Sequence, residues 1–199
     1  MLKVDVRRTR DDILILSRES FCLLEGEEVR LRDRSFSQWR LDEGEWGMAL
    51  TTLDQAFALA AEAGVGLMLD FKDAGTEALL ARTIRRSRFP LDSLLVTGAS
   101  ETSRRILHGL DPRIPLSHAL DREAKHQLTP DFFMKLDTEA VTWHYRLLTK
   151  PLVDILHRRN MLVYAWTVDA PEDMRRMHHV CQVDGIITNS PDTLRAILG

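Results

Sequence analysis

Four charged side chains, Lys3, Asp5, Asp70 and Lys72, form two Lys/Asp couples, each couple two residues apart. In an extended segment, side chains two apart share a face, so Lys3 stands beside Asp5 and Asp70 beside Lys72. Carboxylates so placed can give oxygen ligands to a hard cation, and the ammonium groups beside them suit an anion. The same four residues could equally close two structural ion pairs, so a plain charge cluster and an anion-binding pocket both stay open. Asp5 and Asp70 could also share a weakly held Mg²⁺ or Ca²⁺, because Mg²⁺ often uses only one or two carboxylates; Lys3 opposes this. His144 and Trp166 end apolar runs, which puts both at strand ends. His144 is placed to face a pocket or to serve as a hydrogen-bonded rim residue, and Trp166 reads as core packing. Arg18-Glu19 reads as a solvated pair at a strand end, and Asp184 as a turn or cap residue. His108, His118, His126, His157, His178 and His179 have no carboxylate or serine partner at a telling spacing, so neither a triad nor a metal signature emerges.

The elements that must position these residues repeat as a short apolar run followed by an amphipathic segment of helix length, the sign of β-α repetition and a parallel sheet. Strands are expected at Gly66–Asp70, Ser93–Thr97, Ile114–Ser117, Ala140–Trp143, Leu162–Trp166 and Gly185–Thr188. Helices are expected at Leu53–Ala63, Thr76–Arg86, Ser100–Leu110, Lys150–Arg159, Pro171–His179 and Pro191–Leu198. Thr51 and Thr52, Ser100, and Ser190-Pro191 mark three of the helix starts. Ahead of these, Lys3–Thr9 and Ile13–Ser17 read as two strands around an Arg10-Asp11-Asp12 turn. The stretch Phe21–Met48, charged and without a clean period, reads as an irregular excursion carrying Trp39 and Trp46. Counting Lys3–Val6 gives seven barrel strands, one β-α unit short of the usual closure, and leaves Lys3–Val6 and Gly185–Thr188 as open edges that invite pairing between copies of the chain.

With 199 residues, 44% hydrophobic and 29% charged, the chain suits one domain, 1–199. Its 27 Lys and Arg against 30 Asp and Glu give a net charge of -3, which supplies no drive toward nucleic acid or an anionic membrane. Two cysteines, Cys22 and Cys181, lie in no metal or redox spacing, and charges occupy the N-terminus where a signal peptide needs an apolar run. No apolar stretch is long enough for a membrane span. A cytoplasmic protein is the expectation.

Three stretches carry a family likeness. MLVYAWTVDAPEDMRRMHHVCQVDGIITNSPDTL (Met161–Leu194), TTLDQAFALAAEAGVGLMLDFK (Thr51–Lys72) and VDVRRTRDDILILSRE (Val4–Glu19) resemble, in order, segments of the glycerophosphodiester phosphodiesterases. Their patterns are Trp-Thr-Val-Asn with Gly-Val-Asp-Gly-Ile-Ile-Thr-Asp-x-Pro, Pro-Thr-Leu-x-Glu with Ile-Glu-x-Lys, and Glu-x-Asp with a later His-Asp. The resemblance implies an α/β fold, a TIM-type (β/α) barrel, here without the opening unit that carries His-Arg-Gly. It also implies phosphodiester hydrolysis in glycerophospholipid metabolism, by two histidines around a divalent cation held by three carboxylates. On this pattern Lys3 stands where a metal-binding Glu belongs, Asp5 and Asp70 on the other two carboxylates, Lys72 on the phosphate-side lysine, Trp166 on a pocket wall, and Arg18 on a catalytic histidine.

A lysine ammonium cannot ligate a cation, and a guanidinium with pKa above ~12 cannot act as a base near neutral pH. The expectation is therefore a catalytically degenerate relative that binds a phosphate-containing ligand through Lys3, Lys72, Trp166 and His144. Two alternatives stand beside it: an active phosphodiesterase completed by an upstream segment or a partner chain, and a non-catalytic structural or regulatory scaffold.

Overall fold

Alternating side chains make Leu2–Arg8 the first strand, β1, in the computed structural model of the chain, which describes residues 1–41, 50–136 and 138–199. The chain divides into two units, Met1–Pro115 and Leu116–Gly199. In the first, β1 is joined by β2 (Leu14–Leu16), β5 (Leu67–Phe71) and β6 (Leu94–Thr97) in the order β2-β1-β5-β6. The pairs β1-β5 and β5-β6 are parallel, with Asp5 opposite Asp70 and Asp70 opposite Thr97. All five residues of β5 are buried, as a central parallel strand covered on both faces requires.

Helices α2 (Leu53–Ala63), α3 (Glu77–Ser87) and α4 (Glu101–Leu110) follow the expected bounds closely. Thr52 opens α2 with a capping box shared with Gln55, and Gly64 closes it in the left-handed region at φ +64°. Ser100 caps α4 by accepting from the Ser103 N–H at 3.1 Å.

Two expectations need correction here. The segment after Phe21 is not irregular: it folds as a hairpin, β3 (Phe21–Leu24) and β4 (Glu27–Arg30), and then a short helix, α1 (Phe36–Leu41). Glu25 and Gly26, both at positive φ, make the tight turn, and Trp39 is fully buried against Ile15, Leu24 and Leu31. Four-residue strands and a six-residue helix are too short to print a period. The remainder of the expected excursion, 42–48 with Trp46, lies outside the described residues. Nor is the Lys3–Val6 edge open along its length: β2 runs antiparallel to β1 with Val6 opposite Leu16, and the Asp5 carbonyl accepts from the Ser17 N–H at 3.0 Å. The Arg10-Asp11-Asp12 turn, with Asp12 at φ +58°, folds β2 back onto that side.

The second unit holds β7 (Ser117–Leu120), β8 (Ala140–His144), β9 (Leu162–Trp166) and β10 (Gly185–Ile186), all parallel, in the order β10-β9-β8-β7. Around them run α5 (Pro130–Lys135), α6 (Lys150–His157), α7 (Pro171–Arg175), which widens into π turns over Arg176–Cys181, and α8 (Pro191–Leu198). Val141, Trp143, Val163, Leu148, Leu156 and Met174 form its core. The strand expected at Ile114–Ser117 begins only at Ser117. Pro115 has no N–H to give a ladder, although its carbonyl accepts from Val96 N at 2.9 Å. Ser190 precedes α8 without a side-chain cap, and its own N–H is held by Thr188 Oγ1 at 2.9 Å.

Candidate functional site

Parallel pairing brings the two Lys/Asp couples together. Asp5 and Asp70 are register partners on neighbouring strands, and the Lys72 N–H donates to the Val6 carbonyl at 3.2 Å, which carries the ladder one residue past β5. Lys3 Nζ lies 2.6 Å from Asp70 Oδ2 and 3.3 Å from Asp5 Oδ1. Lys72 Nζ lies 2.8 Å from Asp70 Oδ2 and 3.1 Å from Asp5 Oδ1. Ammonium and carboxylate groups thus alternate round a closed ring, in which each lysine serves both acids. The Asp70 side chain is only 11% exposed, while Lys3 and Lys72 are 30% and 31% exposed, so the ring meets solvent on its cationic side.

Burial pushes the Asp70 carboxyl up, but the Lys3 and Lys72 ammonium groups outweigh it and hold the carboxyl below its ordinary value. Burial likewise pulls Lys72 down, and Asp70 and Asp5 more than restore it, so its pKa is raised. The Asp70 carboxylate is therefore ionised and Lys72 is charged at neutral pH. An ammonium has three N–H donors, and each lysine lies against two carboxylate oxygens of the ring while its side chain stays about a third exposed.

A divalent cation does not fit these four side chains as they stand. The oxygens facing each other across the gap, Asp5 Oδ1 and Asp70 Oδ2, are each already in contact with two ammonium groups. An ion would have to expel a lysine from between them, against like-charge repulsion from both. Among the described residues no group of three or more His, Cys, Asp or Glu side chains is arranged to hold a metal.

Gly98, which the sequence reading passed over, shapes the other side of Asp70. Its φ is +74°, and a Cβ there would run into Asp70 Oδ1 and come within 3.2 Å of Cγ. Only glycine lets the backbone after β6 pass this close to the carboxylate; a Gly directly after an apolar run was the available signal. Arg7, next along the same face of β1, is held away from the ring by Asp73, 3.1 Å from its Nη1.

Within the second unit, His144 and Trp166 are register partners at the ends of β8 and β9, with ring centroids 5.5 Å apart and edge-on. His144 also stacks on Tyr145 at 4.9 Å, and its Nδ1 accepts from the Arg146 N–H at 3.2 Å, which leaves Nε2 as the donor of the neutral ring. Burial, with the charges of Arg122 and Arg146, lowers the His144 pKa. Trp166 Nε1 donates to the Thr142 carbonyl at 2.7 Å, so its indole edge is already engaged.

The Arg18 side chain is 89% exposed and lies 3.9 Å from Glu19, while its carbonyl accepts from Arg7 Nε and Nη2 at 3.3 and 3.2 Å. Asp184 accepts from the Val163 N–H at 2.7 Å and faces His157 Nε2 at 2.9 Å, which makes it a backbone acceptor between β9 and α6.

A model of the glycerophosphoryl diester phosphodiesterase family matches residues 1–193. A glycerophosphodiester phosphodiesterase of Arabidopsis thaliana is 25% identical over 99% of this chain, which spans 64% of that relative's length. A second, from Caldanaerobacter subterraneus, is 26% identical over 84% of the chain and 68% of its own length. The solved structure of an Oleispira antarctica phosphodiesterase in complex with the product sn-glycerol-3-phosphate superposes with a TM-score of 0.81 at 16% identity, covering 98% of this chain and 83% of its own. The fold is accordingly of the TIM-type (β/α) barrel class expected from the sequence.

Proposed function

We propose, from the premise that this chain belongs to the glycerophosphoryl diester phosphodiesterase family, that it is a non-hydrolytic member whose Lys3 and Lys72 receive a phosphate-containing ligand. One observation carries this: both carboxylates of the Asp5–Asp70 pair are taken by ammonium groups, at 2.6 to 3.3 Å. With Lys3 where the family pattern has an acid, the pair lacks the third carboxylate a hard cation would use. With Arg18 at the histidine position, a permanently charged and solvent-facing guanidinium replaces a proton-transfer group, a loss worth about 10²–10⁴-fold.

The ligand class is supported by the two partly exposed ammonium groups and by the sn-glycerol-3-phosphate held by the Oleispira neighbour. The same reading takes 1–199 as one domain, supported by a family model that runs through residues 1–193. A cytoplasmic setting is proposed on two free cysteines and on the lack, among the described residues, of a helix long and apolar enough to cross a membrane. Association between copies through the β10 edge is proposed as well, to be read by sedimentation.

The test is release of alcohol from a glycerophosphodiester such as glycerophosphocholine with magnesium, calcium or manganese. The expected result is no turnover above that of the Lys72→Ala chain. Metal-dependent turnover that Lys72→Ala abolishes would overturn the proposal and favour the active-enzyme alternative.

A further inference from the structure

Resting on the phosphate-ligand reading above, we infer that Lys3 does the work of a divalent cation: its ammonium supplies the positive charge between Asp5 and Asp70, and phosphate binding needs no metal. The first support is charge. Asp5 and Asp70 carry two negative charges, Lys3 and Lys72 two positive ones, and the ring is neutral. An acid at position 3 would leave the same four positions at a net charge of -2, the deficit one divalent cation cancels. A lysine there changes the sum by the same two units and does so covalently.

The second support is position. Lys3 Nζ touches one oxygen of each acid, so it occupies the gap in which an ion bound by the same two oxygens would lie. It is matched across the ring by Lys72, and the two ammonium groups, on side chains 30% and 31% exposed, offer a phosphate two cationic donors. Gly98 adds the third: its missing Cβ leaves Asp70 Oδ1 room, so the carboxylate can turn its other oxygen to both lysines at once.

The experiment is calorimetric titration of the full chain with sn-glycerol 3-phosphate and with inorganic phosphate, in chelator and again in millimolar magnesium. The wild-type chain should bind with the same affinity in both. Lys3→Gln should bind about tenfold more weakly in both, the loss of one charge-assisted contact. Lys3→Glu should bind weakly in chelator and recover in magnesium. Should Lys3→Gln not fold, the wild-type comparison decides alone. Wild-type binding that is lost in chelator, or gains tenfold from magnesium, would overturn the metal-free inference and leave the phosphate reading standing. Unchanged affinity in Lys3→Gln would also overturn it. No heat from either probe under either condition would defeat the phosphate reading, and this inference with it.

Discussion

Replacing Asp70 by Asn removes one charge from the ring and changes almost nothing else in shape. Two unit charges at ~4 Å attract by ~4 kcal/mol at an effective dielectric constant of about 20, and losing one partner of a buried pair costs about 3–5 kcal/mol. Asp70 is close to that limit at 11% exposed, but its partners are 30% and 31% exposed, and solvent screening there reduces the expected loss to about 2–3 kcal/mol. For a chain of 199 residues, at about 2–4 °C per kcal/mol, Tm should fall by about 4–12 °C at pH 7. The pH dependence carries its own sign. The folded Asp70 pKa lies below its unfolded value of about 3.9, so the stabilisation is present above that value and is lost as pH falls through the folded one. Thermal melts of both chains from neutral to strongly acid pH should therefore converge below about pH 4. Equal Tm values at pH 7, or a gap that persists unchanged in acid, would refute the idea that the lysines hold an ionised Asp70.

Other expectations concern the surroundings. Gly98→Ala forces a Cβ against Asp70 at φ +74° and should cost more than the ~1–2 kcal/mol of left-handed strain alone, read by urea unfolding. Trp39→Ala empties a fully buried site and should cost about 3–5 kcal/mol in the same assay; a loss under about 1 kcal/mol would mean that the hairpin and α1 fold apart from the rest. Asp184→Ala leaves the Val163 N–H buried without its side-chain acceptor and should cost about 1–3 kcal/mol, whereas Asp184→Asn should cost less because an acceptor oxygen remains. By NMR, His144 should titrate below the ordinary histidine value of about 6.5, so its share of stability is present above that pH and fades as acid protonates the ring.

The strands GLMLD and SLLVT were legible because a buried parallel strand writes a continuous apolar run, and Thr52 and Ser100 marked helix starts because capping is a local interaction. The site was legible only by halves. Alternation places Lys3 with Asp5 and Asp70 with Lys72, but the ring depends on Asp5 facing Asp70 across a parallel pair 65 residues apart in sequence, which no local pattern records. Gly98 was one glycine among ten, and its meaning lies in a close approach to another strand's side chain. Asp184 looked like a turn residue because its partners, Val163 and His157, are more than 20 residues away. The hairpin after Phe21 prints no period because its strands are four residues long and bury one side chain of their own, Leu24.

The central claim is that ammonium groups, not a metal ion, occupy the gap between Asp5 and Asp70. Manganese titration followed by electron paramagnetic resonance counts free ion directly. Wild-type protein is expected to leave the free-ion signal undiminished, while the Lys3→Glu chain removes about one equivalent. One equivalent bound tightly by the wild type, and released by Asp70→Asn, would contradict the claim.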